Sequence, residues 1–112
     1  MSTDNNEVHA GNPNIFAELE LPDAESHFLK AQIVAELYRL TQEAKLTQAR
    51  TGARMGISQP EVSRLFKGHF REYSVERLIG FLTAFDQDVE IVATSRAKDG
   101  GPGQITFRPV SG

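Results

Sequence analysis

Residues 46–68 read LTQARTGARMGISQPEVSRLFKG, and this stretch holds two helix starts with one break between them. Thr47 can cap a helix running from Gln48 to about Met55, because a threonine oxygen accepts from the free amides of the first turn. Gly56 should end that helix, since glycine takes the left-handed conformation of a helix terminus at little cost. Ser58 then opens the next. Ser58 and Glu61 have the spacing of a capping box, and Pro60 falls in the first turn, where no intrahelical donor is lost. Val62, Leu65 and Phe66 form the inward face of this second helix, and Gly68 closes it after Lys67. Gly52, in the middle of the first helix, costs about 1 kcal/mol against alanine but lets the two helices approach closely. Two short helices joined in this way can lay the second in a DNA major groove while the first crosses the backbone.

Outward from this unit the pattern stays helical. Leu29, Ile33, Leu37, Leu40 and Ala44 recur every three or four residues and predict a helix over about 24–44. Ser74 caps a further helix whose apolar stripe is Val75, Leu78, Ile79, Leu82 and Phe85. After Asp86 the period changes to two, with Val89, Ile91 and Ala93 alternating against Glu90, Val92 and Thr94, which predicts a strand over 88–95. A loop follows over 97–103, and residues 104–108 read as a second strand or a tail. Residues 1–14 are polar and are expected to be disordered. Ile15, Phe16, Leu19 and Leu21 form an apolar patch expected to dock on the domain. The expected organisation is a tail over 1–14, one domain with a C-terminal strand over 15–96, and a loop with a second strand or tail over 97–112.

Length and composition narrow the function. A chain of 112 residues fits one domain with tails. It contains no cysteine, which excludes disulfides and thiolate chemistry. No stretch approaches the roughly 20 apolar residues of a membrane span. The polar N-terminus lacks the basic and apolar run of a secretory signal, so a cytoplasmic location is expected. The net charge of −3 is unevenly divided. Residues 1–44 hold eight acids and two bases, whereas 45–77 hold seven bases (Lys45, Arg50, Arg54, Arg64, Lys67, Arg71 and Arg77) and three acids. The basic segment therefore coincides with the two-helix unit, as phosphate binding requires. His9, His27 and His69 are scattered, no carboxylate pair suggests acid–base work, and Gly100-Gly101-Pro102-Gly103 lacks the lysine and hydroxyl residue of a phosphate loop. Neither an enzyme nor a metal or cofactor site is expected.

Gln59, Ser63 and Lys67 repeat every four residues opposite the apolar face of the second helix, giving one polar stripe. A glutamine amide can pair bidentately with adenine, worth about 1–3 kcal/mol of discrimination. Gln59 and Ser63 are therefore assigned to base edges, and Thr47, Gln48 and Lys67 to backbone positioning. Ser58 and Pro60 are included at the helix start, where Pro60 can offer a thymine methyl only apolar contact. Arg64 can reach a base or a phosphate. His69 and Arg71 lie in the loop beyond, where an exposed role and a phosphate contact are both open.

From Leu46-Thr47-Gln48 through Met55-Gly56-Ile57-Ser58-Gln59-Pro60-Glu61-Val62-Ser63-Arg64-Leu65-Phe66-Lys67-Gly68, the chain resembles the phage-repressor/Cro (XRE) type of helix-turn-helix protein. The resemblance implies a mainly α fold, a repressor-like bundle of four to five helices with a C-terminal β-strand or hairpin. It further implies that Gln48 binds a phosphate and that Gln59 reads a base. The family often has alanine where this chain has Gly52, and a hydrogen-bonding side chain would be of more use than Pro60. Asn14-Ile15-Phe16-Ala17 and the ending from Phe81 to Ile91 are similar to the small HigA-like antitoxins of toxin-antitoxin pairs. That wider likeness implies autoregulation of an operon and a RelE/HigB-like ribonuclease toxin as partner.

One helix-turn-helix reads only a few base pairs, so specific affinity for double-stranded DNA usually needs two copies on a palindromic operator. A homodimer is expected, with the unpaired edge of 88–95 joined across the two-fold axis through Val89, Ile91 and Val92. A stand-alone regulator without a toxin shares every DNA-binding residue. A helical adaptor that has lost DNA binding is the third possibility, and it predicts no salt-sensitive affinity for duplex.

Overall fold

Among the described residues four helices follow the apolar periods and capping signals of the sequence: α1 (Asp23–Glu43), α2 (Gln48–Met55), α3 (Gln59–Phe66) and α4 (Val75–Thr83). The computed structural model describes residues 23–96, 100, 101 and 103–110, so the expectations for the tail over 1–14, the patch over 15–21 and part of the loop over 97–103 lie outside the described residues. Leu29, Ile33, Leu37 and Leu40 of α1 are buried as their spacing predicts, and Val34 joins them. Ala44 does not; it lies exposed in the turn after α1. Leu65 of α3, Leu78, Phe81 and Leu82 of α4, and Phe85 beyond it complete one core with these residues. Burying a leucine or phenylalanine side chain stabilises by about 1.5–3 kcal/mol, so this shared core holds the short helices in place. α2 packs chiefly on α3, and α4 chiefly on α1.

Each helix ends on a residue with a left-handed backbone. Gly56 (φ 79°) and Gly68 (φ 102°) are the terminators that the sequence announces, and Lys45 (φ 57°) and Asp86 (φ 61°) take the same role without being glycine. At α1 the Lys45 amide donates to the Gln42 carbonyl at 3.0 Å and the Leu46 amide to the Thr41 carbonyl at 3.1 Å. At α4 the Asp86 amide donates to the Thr83 carbonyl at 3.1 Å and the Gln87 amide to the Leu82 carbonyl at 3.2 Å. These paired bonds satisfy carbonyls that a helix end would otherwise leave open.

The C-terminal expectation is corrected. Among the described residues neither 88–95 nor 104–108 forms a strand. Alternation marks a segment fit for a sheet, but a strand exists only where another supplies the ladder, and none of the described residues does so for 88–95. Val89, Ile91 and Val92 are exposed, Ile91 and Val92 by 73% and 68%. Phe107 of the second segment is partly buried against the helical core instead.

Candidate nucleic-acid interface

The two-helix unit is assembled by backbone contact. The Gly52 carbonyl accepts from the amides of Gly56 at 2.7 Å and Ile57 at 2.9 Å, closing the end of α2. Val62, fully buried, fills the gap between α2 and α3. Thr51 is also fully buried, and its hydroxyl donates to the Thr47 carbonyl at 2.8 Å, so no polar group is stranded there.

Both helix starts are capped as read. The Arg50 amide donates to Thr47 Oγ1 at 3.1 Å. In α3 the Glu61 amide donates to Ser58 Oγ at 3.3 Å while the Ser58 amide donates to Glu61 Oε1 at 3.1 Å, the reciprocal pair of a capping box. The hydroxyls of Thr47 and Ser58 thus serve the helix termini first. Those termini concentrate free N–H groups and the positive end of the helix dipole, which suits phosphate.

Gln48, Gln59, Pro60, Arg64 and Lys67 are exposed and Ser63 is half-buried, while Val62 and Leu65 on the opposite side of α3 are buried. Arg50, Arg64, Lys67 and Arg71 are exposed and form no ion pair among the described residues, so their charges are available to an external anion. Arg54 is different. Its Nε donates to the Ala84 carbonyl at 2.7 Å and its Nη2 to Asp86 Oδ2 at 2.9 Å, which withdraws it from any external role.

Arg64 lines a surface cleft with Glu61, His69, Arg71, Glu72, Tyr73 and Arg77. His69 and Arg71 therefore stand beside α3 rather than apart from it, and the Lys30 ammonium tethers the loop by donating to the Arg71 carbonyl at 2.9 Å. The sequence reading counted Arg77 in the basic segment without giving it a contact, and passed over Tyr73. The Tyr73 hydroxyl donates to Glu61 Oε2 at 3.3 Å, and the Arg77 guanidinium lies 4.8 Å from the Tyr73 ring centroid. The Ser58 amide bond holds the Glu61 carboxyl below its ordinary pKa against the opposing effect of desolvation, with the Ser58 and Tyr73 hydroxyls and the Arg77 charge adding to the lowering. Partial burial, then the Glu61 charge, push the Tyr73 phenol above its ordinary value. The Glu61 position was legible as a cap; its second partner, twelve residues on, had no local signal.

Among the described residues no helix is long and apolar enough to cross a membrane. None of them groups three or more histidines, aspartates or glutamates as a metal site would.

Comparison with known proteins agrees with this geometry. Residues 15–94 match a family described as a helix-turn-helix domain. A solved structure described as an XRE-family transcriptional regulator superposes with a TM-score of 0.75 at 38% identity, over 80% of this chain and 100% of the other. No curated protein matches the sequence. With two capped helices closed at Gly52, a polar stripe on α3, and both likenesses spanning most of the chain, the protein belongs to the XRE-type helix-turn-helix family.

Proposed function

We propose that this protein is a sequence-specific DNA-binding transcriptional repressor that acts as a homodimer on a palindromic operator. The observation that carries the reading is the polar stripe Gln59, Ser63 and Lys67 along α3 and its C-cap, set apart from buried Val62 and Leu65, together with the exposed charges of Arg50, Arg64 and Arg71, which form no ion pair among the described residues. Gln59 and Ser63 read base edges, while Thr47, Gln48, Ser58 and Lys67 set the register on the backbone, with Pro60 and Arg64 beside them. In a dimer, Val89, Ile91 and Val92 leave solvent as 88–95 pairs with its counterpart, giving that segment the ladder it lacks in one copy. Anisotropy on the DNA upstream of its own gene and on a scrambled duplex, at two salt concentrations, tests the reading. Preference for the cognate duplex that is lost in Gln59→Ala supports it, and equal salt-steep binding to both duplexes refutes specific readout.

Within this role we propose that the protein is the antitoxin of a toxin-antitoxin pair that autoregulates its operon, with a RelE/HigB-like ribonuclease toxin as partner. The resemblance of 14–17 and 81–91 to HigA-like antitoxins supports this, as does the acidic character of 1–44, suited to a basic toxin. Co-purification with a small basic protein tests it. A stand-alone regulator is the second reading, favoured by the likeness to a solved structure described as an XRE-family transcriptional regulator; such a protein purifies alone.

A further inference from the structure

We infer that Arg54 is a positioning residue that fixes the angle between the DNA-reading unit and the segment through which two copies pair, and so sets the half-site spacing the protein accepts. The inference rests on the proposed dimer through 88–95.

Arg54 stands in the last turn of α2, inside the reading unit, and each of its contacts falls on the exit of α4. Its Nε donates to the Ala84 carbonyl at 2.7 Å, its Nη2 to Asp86 Oδ2 at 2.9 Å, and its guanidinium lies 5.1 Å from the centroid of the buried Phe85 ring. The planar guanidinium fork suits a carbonyl and a carboxylate held side by side, so the three contacts fix direction as well as distance. Asp86 is also where the backbone turns left-handed, and residues 88–96 leave the helical body from that turn. α2 packs chiefly on α3 and α4 chiefly on α1, which makes Arg54 a direct polar link between the reading unit and the turn from which the segment departs.

The geometry matters because the two reading helices of a dimer must meet half-sites about one DNA turn apart, roughly 34 Å centre to centre. A segment free to swing at Asp86 would let the helices meet many spacings equally. A clamped one selects a single spacing.

The absence of cysteine permits a clean test. Gln42→Cys, on the exposed side of α1, carries a spin label, and electron–electron distances are measured between the two copies of the free protein. Arg54→Met keeps the apolar stem over Phe85 but removes the donors. Asp86→Gly keeps the left-handed turn but removes the carboxylate. Sedimentation equilibrium follows the dimer, and anisotropy measures binding to a palindrome selected by the wild-type protein from random duplexes, to its single half-site, and to versions with altered central spacers. The expected result is one narrow distance in the wild type and a broad distribution in both variants. Dimer and half-site affinity should stay unchanged while spacer discrimination is lost. A distribution as narrow in both variants as in the wild type overturns the inference and leaves the dimer standing. Loss of half-site affinity in both variants overturns it too, because Arg54 would then act on the reading unit itself. The lack of any inter-copy distance in the wild type overturns the dimer reading and this inference with it.

Discussion

A Cβ added to Gly52 would stand 2.5 Å from the carbonyl oxygen of Ile57, closer than carbon and oxygen can approach without displacing backbone. The same atom would meet the Ser58 carbonyl carbon and Val62 Cγ2 at 3.3 Å, so α2 and α3 close on each other with no room for a methyl. The alanine common at this place in the resembling family does not fit this packing.

Gly52→Ala is therefore expected to destabilise the fold by about 1–3 kcal/mol, the usual cost of overpacking, despite a gain of about 1 kcal/mol in helix propensity. Thermal unfolding followed by circular dichroism checks this. A melting temperature equal to or above that of the wild type would show that α2 and α3 separate without strain.

Lys45 occupies a left-handed conformation at φ 57° with its side chain exposed and in no ion pair among the described residues. Lys45→Gly should stabilise by about 1 kcal/mol, since release from the left-handed penalty exceeds glycine's added unfolded freedom. Asp86→Gly makes the same backbone exchange but loses the bond to Arg54, so its melting temperature should rise less. Equal gains at the two positions would contradict this account.

The Glu61 carboxylate is held below its ordinary pKa by the Ser58 amide first of all. A depressed folded pKa means that the stabilisation is present above the unfolded carboxyl value, about 4.3, and is lost as pH falls through the lower folded value. The melting temperatures of wild type and Glu61→Gln should therefore differ at pH 7 and converge as the solution is acidified below about pH 4. A gap that stays constant over that range would assign the effect to shape rather than charge.

Two substitutions on α3 should separate reading from positioning. Gln59→Ala is expected to cost about 1–3 kcal/mol on the preferred duplex and little on a scrambled one. Lys67→Ala should weaken both alike and lower the salt dependence of binding by about one phosphate contact. Anisotropy titrations at several salt concentrations distinguish these patterns, and identical behaviour of the two variants would end the division of labour.

The parts of this molecule governed by neighbouring residues were legible in its sequence. Thr47, Ser58 and Ser74 cap within three residues of themselves, Gly56 and Gly68 end helices by their own backbone freedom, and the stripe over Leu29 to Leu40 needs only the helical period. Of the candidate site, the caps Thr47 and Ser58 were legible on the same local grounds, and the stripe of Gln59, Ser63 and Lys67 needs only the helical period carried through α3 to its C-cap. What escaped depends on distant partners. Arg54 looked like part of the basic segment until Ala84 and Asp86 claimed it across thirty residues and more. Tyr73 reaches Glu61 from the next loop, and Phe107 lies on a core built far earlier in the chain. Period two over 88–95 described a segment suited to pairing, and suitability supplies no partner.

The left-handed residue at each helix end also decides where the chain can grow or shrink. One residue inserted into α3 would turn Gln59 by about 100° relative to Gly68, taking the reading stripe out of line with the anchored end of its helix. In α2 the same insertion would move Gly52 away from Ile57 and set a side chain against backbone. The loop 69–72 is held as well, since Phe70 is buried in the core and the Arg71 carbonyl accepts from Lys30. Relatives of this protein should keep the number of residues from Thr47 to Gly68 constant.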